Sequence, residues 1–108
     1  MYYFDVKELR KKEVKPGMTV CSVFLENLMI THFEFQPYTD IPTHQHMHEQ
    51  ITYVLEGELK FWTETEIRIL KAGEGFIVPP HMLHGALALS HARVIDAWNP
   101  VREDYIVP

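Results

Sequence analysis

Residues 43–50 read Thr-His-Gln-His-Met-His-Glu-Gln, which places three histidines within five positions. Neutral imidazole is a good nitrogen donor for zinc, nickel, copper and iron, so histidines that converge on one point form half of a metal site. Alternate side chains of a strand share a face, so His44 and His46 are expected to point the same way with Cα atoms about 7 Å apart. Both imidazoles can then reach one ion. The third ligand is His48 or Gln50; strand parity admits either, because the chain can bend between Met47 and Glu49. A fourth has to come from another strand, and His84, just past Pro79, Pro80 and His81, is the leading candidate. His81 would then stand at the mouth of the same pocket. His32 and His91 are isolated and read as ordinary core or surface histidines.

The elements that must hold these side chains are strands. From Met18 onward, short runs rich in valine, isoleucine and aromatic residues alternate with glycine, proline or charged breaks. The runs fall at 18–25, 27–35, 43–46, 50–56, 58–63, 66–70, 75–78, 85–89 and 92–98. Pairs such as Gly57 with Glu58 turn the chain between neighbours, and Pro79 with Pro80 breaks it after Val78. Only residues 6–12 suggest a short helix. A chain of strands with no helix to cover a sheet must pack sheet on sheet, so the fold class is all-β, an antiparallel sandwich or a closed jelly-roll barrel. The 108 residues suffice for one domain with one core, and residues 100–108 read as a tail lying across the surface.

Composition narrows the function. No apolar run approaches the roughly 18 residues of a membrane span, so no membrane partner is expected. The N-terminus lacks the basic lead and apolar stretch of a secretory signal, and the single cysteine, Cys21, suits a reducing compartment; a cytoplasmic protein is the expectation. Cys21 itself lies in an apolar segment and reads as inert core. A net charge of −5 argues against a nucleic-acid partner. The basic cluster Lys7, Arg10, Lys11, Lys12 and Lys15 alternates with other residue types and reads as a solvated segment.

The spacings resemble those of the cupins. Their first motif, G-x5-H-x-H-x3-E-x6-G, is met over residues 38–57 by His44, His46, Gln50 and Gly57. The second, G-x5-P-x-G-x2-H-x3-N, is met over residues 73–88 by Gly73, Pro79 and His84. Tyr38 and His81 stand where the motifs have glycine, Gln50 where they have glutamate, and Ala88 where they have asparagine. Beyond Asp96, the run Asp-Ala-Trp-Asn-Pro-Val-Arg-Glu-Asp-Tyr resembles the tail of the small pectin-degradation cupins, as does the stretch from His48 to Glu58.

The resemblance implies a double-stranded β-helix with one divalent metal ion, and it selects Gln50 over His48. His44, His46, Gln50 and His84 become the ligands, and Asp96, Trp98 and Arg102 surround the substrate. The implied activity is linearisation of 4,5-unsaturated uronate monosaccharides from pectin or alginate to 5-keto-4-deoxyuronates, so the partner is a small acidic sugar. Nickel, zinc, iron, manganese and copper all suit these ligands. The residues alone say less. Asp96 and Trp98 share strand parity, and a buried aspartate near a cation suits proton transfer, but a structural ion pair of Asp96 with Arg93 or Arg102 is the competing reading. Trp98 as ordinary core competes similarly. A metal-dependent dioxygenase and a non-catalytic sugar-binding module are the alternative functions. Small antiparallel proteins often pair through an edge strand, so a homodimer is expected.

Overall fold

Alternation of buried and exposed residues sets the strands. Along Met29–Phe35 the residues Met29, Thr31, Phe33 and Phe35 are buried while Ile30, His32 and Glu34 point outward. A computed structural model describes residues 2–108. It contains β1 (Lys12–Lys15), β2 (Met18–Phe24), β3 (Met29–Phe35), β4 (Asp40–His44), β5 (Glu49–Glu56), β6 (Leu59–Thr63), β7 (Ile67–Leu70), β8 (Gly75–Val78), β9 (His84–Ala88) and β10 (Ala92–Asn99). They form a six-stranded sheet in the order β1-β2-β3-β10-β5-β8 and a four-stranded sheet in the order β4-β9-β6-β7. All pairings are antiparallel.

The all-β expectation holds, and closure into a barrel does not. The ladders stop at β1 and β8 in one sheet and at β4 and β7 in the other, and among the described residues no strand pairs across. Side chains hold the sheets together instead: Phe61 of the smaller sheet stacks on Phe76 of the larger at 3.7 Å between ring centroids. No helix among the described residues is long and apolar enough to cross a membrane.

Three local expectations are corrected. Residues 6–12 are not a helix; a single 3-10 turn at Val6–Glu8, capped by Asp5, gives way to β1, whose charged residues Lys12, Glu13 and Lys15 suit a sheet edge. The strand expected at 43–46 is β4, which starts earlier and carries Pro42. Proline has no N–H to donate, and β4 is accordingly an edge strand with a register irregularity between Ile41 and His44. Residues 100–108 do more than cross the surface. Tyr105 meets Phe33 edge-on at 5.0 Å, and Val107 packs on the core. Ser22 Oγ donates to the Tyr105 carbonyl at 2.8 Å, while Lys12 and Arg10 bond to the carbonyls of Asp104 and Pro108. Cys21, as expected, is buried, and burial pushes its thiol up.

The two residues that replace motif glycines, Tyr38 and His81, both have φ of 66°, the left-handed region where glycine is at ease. Gly85 answers a different need: a Cβ there would lie 2.6 Å from the Trp62 ring, whose Nε1 donates to Thr43 Oγ1 at 2.8 Å. That contact packs the start of β9 closely against β6.

Along each inner face, apolar residues occupy one end and polar residues the other. On β10, Ala92 and Val94 lead to Asp96 and Trp98; on β5, Val54 leads to Thr52 and Gln50; on β9, Ala88 and Ala86 lead to His84. Antiparallel register brings these polar ends together. The apolar ends form the core around Phe33, Phe35, Val54, Phe61 and Val94, and the polar ends surround a cavity.

Candidate metal centre

Register places His44 of β4 directly opposite His84 of β9 in the smaller sheet. His46 lies just beyond β4, in the bend that leads to β5, so convergence with His44 comes from the bend and not from a shared strand face. The three imidazoles offer ring nitrogens that all lie within 4.8 Å of one another. Gln50, on β5 of the larger sheet, points its Oε1 at His46 Nε2, 2.9 Å away. The donor set therefore bridges the two sheets. His48 does not join it: its ring packs against His46 and Trp98, with centroids 5.7 and 6.2 Å away.

Hydrogen bonds fix the ring tautomers of His44 and His84. His44 Nδ1 meets the Pro42 carbonyl at 2.9 Å, His46 Nδ1 the His48 carbonyl at 3.1 Å and His84 Nδ1 the Met82 carbonyl at 2.8 Å. A carbonyl can only accept, so Nδ1 of His44 and of His84 carries the proton and donates it, leaving a lone pair on Nε2; His46 has an accept-only oxygen at both ring nitrogens and, when neutral, one proton to share between them. Burial lowers the pKa of His46, and that of His84 to about 4, which keeps both rings neutral near pH 7. The Gln50 amide is oriented as well, since its Nε2 donates to Thr52 Oγ1 at 2.9 Å. With its proton on Nδ1 toward the His48 carbonyl, His46 turns an Nε2 lone pair to Gln50 Oε1, two acceptors face to face. A cation bound between these lone pairs turns that repulsion into attraction, so the residues fit a divalent ion with three nitrogen donors and one amide oxygen.

Asp96 is bracketed by register. On β10 it lies opposite Thr31 of β3 and Thr52 of β5. Thr52 Oγ1 donates to Asp96 Oδ1 in a short hydrogen bond, and Thr31 Oγ1 lies 3.5 Å from Oδ2. A chain of donors thus runs from Gln50 through Thr52 to Asp96. Burial, at 4% residual exposure, pushes the Asp96 carboxyl up to about 7 against the pull of these hydrogen bonds. The ion pair with Arg93 or Arg102 is not formed. Arg93 sits 3.6 Å from Glu56 and 3.1 Å from His32, and Arg102 grips Asp104 through Nε at 3.1 Å and an Nη at 2.7 Å.

Trp98 lies opposite Gln50, is buried, and donates from Nε1 to Thr31 Oγ1 at 2.9 Å. One side of its ring meets His46 at 5.4 Å between centroids; the Arg102 guanidinium lies 4.9 Å from its centre and 4.4 Å from that of Tyr105. His44, Gln50, His84, Asp96, Trp98 and Arg102 all line one cavity between the sheets. His46 meets them from the bend, whereas His81 is exposed and outside the lining, its N–H donating to the His46 carbonyl at 2.7 Å. The sequence did not point to Thr31, Thr52, Asp104 or Tyr105. The threonines are ordinary strand residues until register sets them beside Asp96, and the aspartate and tyrosine are legible only as part of the tail's pattern.

Comparison with known proteins agrees with this geometry. The family model described as "Cupin domain" matches residues 31–98. Pectin degradation protein KdgF of Dickeya dadantii is 32% identical over 83 residues, 75% of this chain and 76% of that protein. The solved structure of KdgF from Halomonas sp. superposes with a TM-score of 0.90 at 34% identity, over 96% of this chain and 97% of that one. An RmlC-like cupin from Shewanella frigidimarina gives 0.92 at 30% identity, over 98% and 96%.

Proposed function

The chain belongs to the cupin family, among the relatives of pectin degradation protein KdgF, and on that premise we propose that it opens the ring of 4,5-unsaturated uronate monosaccharides to 5-keto-4-deoxyuronates with the help of one divalent metal ion. The observation that carries the reading is the meeting, in one cavity, of a cation-ready donor set, a buried carboxyl poised near neutrality and an aromatic-backed guanidinium. Such a set suits a small acidic sugar whose reaction moves protons without redox change.

A divalent ion held by His44, His46, Gln50 and His84 supplies Lewis acidity toward sugar oxygens, and because Gln50 is neutral the ion keeps its full charge for an anionic substrate. The isomerisation removes a proton from the anomeric hydroxyl as the bond from C1 to the ring oxygen breaks, and adds one at C4 as C5 becomes a ketone. Asp96 can serve either transfer, because a carboxyl titrating at about 7 populates both forms at working pH. Thr52 and Thr31 hold it in place. Arg102 receives the substrate carboxylate through a charge-assisted pair, which it must share with or take from Asp104. Trp98 supports the apolar face of the sugar and fixes the plane of the guanidinium.

The test is incubation with the unsaturated uronate monomer while following the ultraviolet absorbance of its conjugated double bond. Loss of absorbance under anaerobic conditions is expected. Turnover that stops without oxygen would point to a dioxygenase, and tight sugar binding with unchanged absorbance to a binding module.

A further inference from the structure

Arg102 meets Asp104 through one edge of its guanidinium. Nε lies 3.1 Å from Oδ1 and an Nη 2.7 Å from Oδ2, so the side-on edge is filled by a pair of parallel hydrogen bonds. The end-on edge, one N–H from each Nη, stays open and presents the same fork to a second carboxylate. Burial tells which edge faces the cavity. The Arg102 side chain is 14% exposed and lines the cavity, whereas that of Asp104 is 59% exposed and lies outside the lining. Asp104 thus grips the guanidinium from the solvent side.

The faces of the guanidinium are held as well, with the ring centres of Trp98 and Tyr105 lying 4.9 and 4.4 Å from its carbon. The turn Glu103–Tyr105 that carries Asp104 is itself pinned. Lys12 Nζ donates to the Asp104 carbonyl at 3.2 Å, Ser22 Oγ to the Tyr105 carbonyl at 2.8 Å, and the Tyr105 N–H to the Arg102 carbonyl at 3.0 Å. Partial burial works to raise the Asp104 carboxyl, but the hydrogen bonds and charge of Arg102 prevail and hold it below its ordinary range. It is therefore ionised near pH 7.

We propose that Asp104 is a positioning residue that sets the selectivity of the site for a carboxylate-bearing sugar, fixing Arg102 side-on so that its end-on edge meets the substrate carboxylate inside the cavity. On the uronate reading above, on which this assignment rests, the two carboxylates share the guanidinium. Charge alone argues the reverse, since an aspartate beside the guanidinium repels an anionic sugar. At an exposed position that repulsion is screened by water and salt. Order acts the other way. Arginine carries large rotamer entropy, and fixing it before the sugar arrives spares that loss at binding, worth about three- to tenfold in affinity. The two effects have opposite signs, so removing Asp104 decides between them.

Two assays on the metal-loaded full chain test this. In the absorbance assay, Asp104→Ala is expected to raise KM for the unsaturated uronate about three- to tenfold, with kcat within about twofold of wild type. Asp104→Asn keeps the size but offers one acceptor to the pair of N–H groups, and should move KM the same way. Glu103→Ala removes a neighbouring exposed charge that does not pair with Arg102, and should leave KM unchanged or lower. In calorimetry on nickel-loaded protein the probes are galacturonate, a saturated uronate with no double bond to react, and its uncharged methyl ester. Wild type should bind the acid more tightly than the ester, and Asp104→Ala should lose about three- to tenfold for the acid and nothing for the ester. A KM or Kd for the acid that holds or falls on removing Asp104, an equal loss for the ester, a wild type that does not prefer the acid, or a KM raised by Glu103→Ala would each overturn the proposal. A wild type that does not consume the unsaturated uronate would instead sink the reading beneath it, and the calorimetric comparison would still decide the role of Asp104.

Discussion

Replacing Asp96 by asparagine is expected to separate catalysis from stability. The change is isosteric: the asparagine Oδ1 can still accept from Thr52, and its Nδ2 faces Thr31 Oγ1, which accepts from Trp98 Nε1 and has a second lone pair to offer. The proton-transfer group is lost, so kcat should fall about 10²- to 10⁴-fold. Stability should move the other way at alkaline pH. Asp96 titrates at about 7 when folded, against an ordinary 3.8. Its folded pKa is raised, so its contribution is fully present below pH 3.8 and is lost as pH rises through 7. By linkage the charged, buried form costs the metal-free wild type at most about 4 kcal/mol at pH 8. Asparagine escapes that cost. Metal-free Asp96→Asn is therefore expected to melt above the wild type at pH 8, by up to about 15–30 °C at roughly 4–8 °C per kcal/mol for a domain near this size, and to lose that advantage at pH 4. Differential scanning calorimetry in chelator gives the melting comparison; the absorbance assay gives the rate, with metal content checked in the same sample. Full linearisation by a metal-loaded Asp96→Asn variant would refute the assigned role, and equal melting differences at both pH values would refute the account of its environment.

Other expectations follow from the same geometry. Gln50→Ala should weaken metal affinity about 10- to 100-fold and His48→Ala should not, as titration of metal-free protein with a divalent ion would show. Arg102→Ala should raise KM about 100-fold for the uronate, by loss of a charge-assisted pair, while metal content stays at one ion per chain. His84 titrates at about 4, below its ordinary 6.5, so the unfolded chain takes up a proton that the folded chain refuses as pH falls from 6.5 to 4. His84→Gln should relieve up to about 3 kcal/mol of acid destabilisation in metal-free protein, seen as a shallower fall in melting temperature over that range. His81→Gly should stabilise the fold by about 1 kcal/mol by removing a side chain from a left-handed position, read from chemical denaturation; a loss of stability would contradict that source of strain.

The sequence made the strand rhythm legible because half-buried strands print their alternation directly, and β8 falls on its expected bounds. It missed β1, since a short edge strand with three charged residues in four looks like a solvated run. His44 and His84 were visible through residue type and spacing. The reason His46 joins them was not, because the bend after β4 replaces the continuous strand on which parity depends. The choice between His48 and Gln50 lay with motif spacing; the Gln50 amide oxygen faces His46 Nε2, while the His48 ring packs against His46 and Trp98. What stayed hidden depends on register: Asp96 and the threonines around it lie far apart in the chain, and no local pattern records which strand lies beside which. The Arg102 and Asp104 pair needed the turn at Glu103–Tyr105 to become bidentate.

The central claim is that ring opening depends on an ion held by His44, His46, Gln50 and His84. Its most direct test is the uronate absorbance assay on protein stripped by chelator, with complete removal verified by elemental analysis, followed by stepwise return of a divalent ion. Loss of turnover on stripping, and recovery that saturates at one ion per chain, is the predicted result. Undiminished turnover by the stripped protein would contradict it.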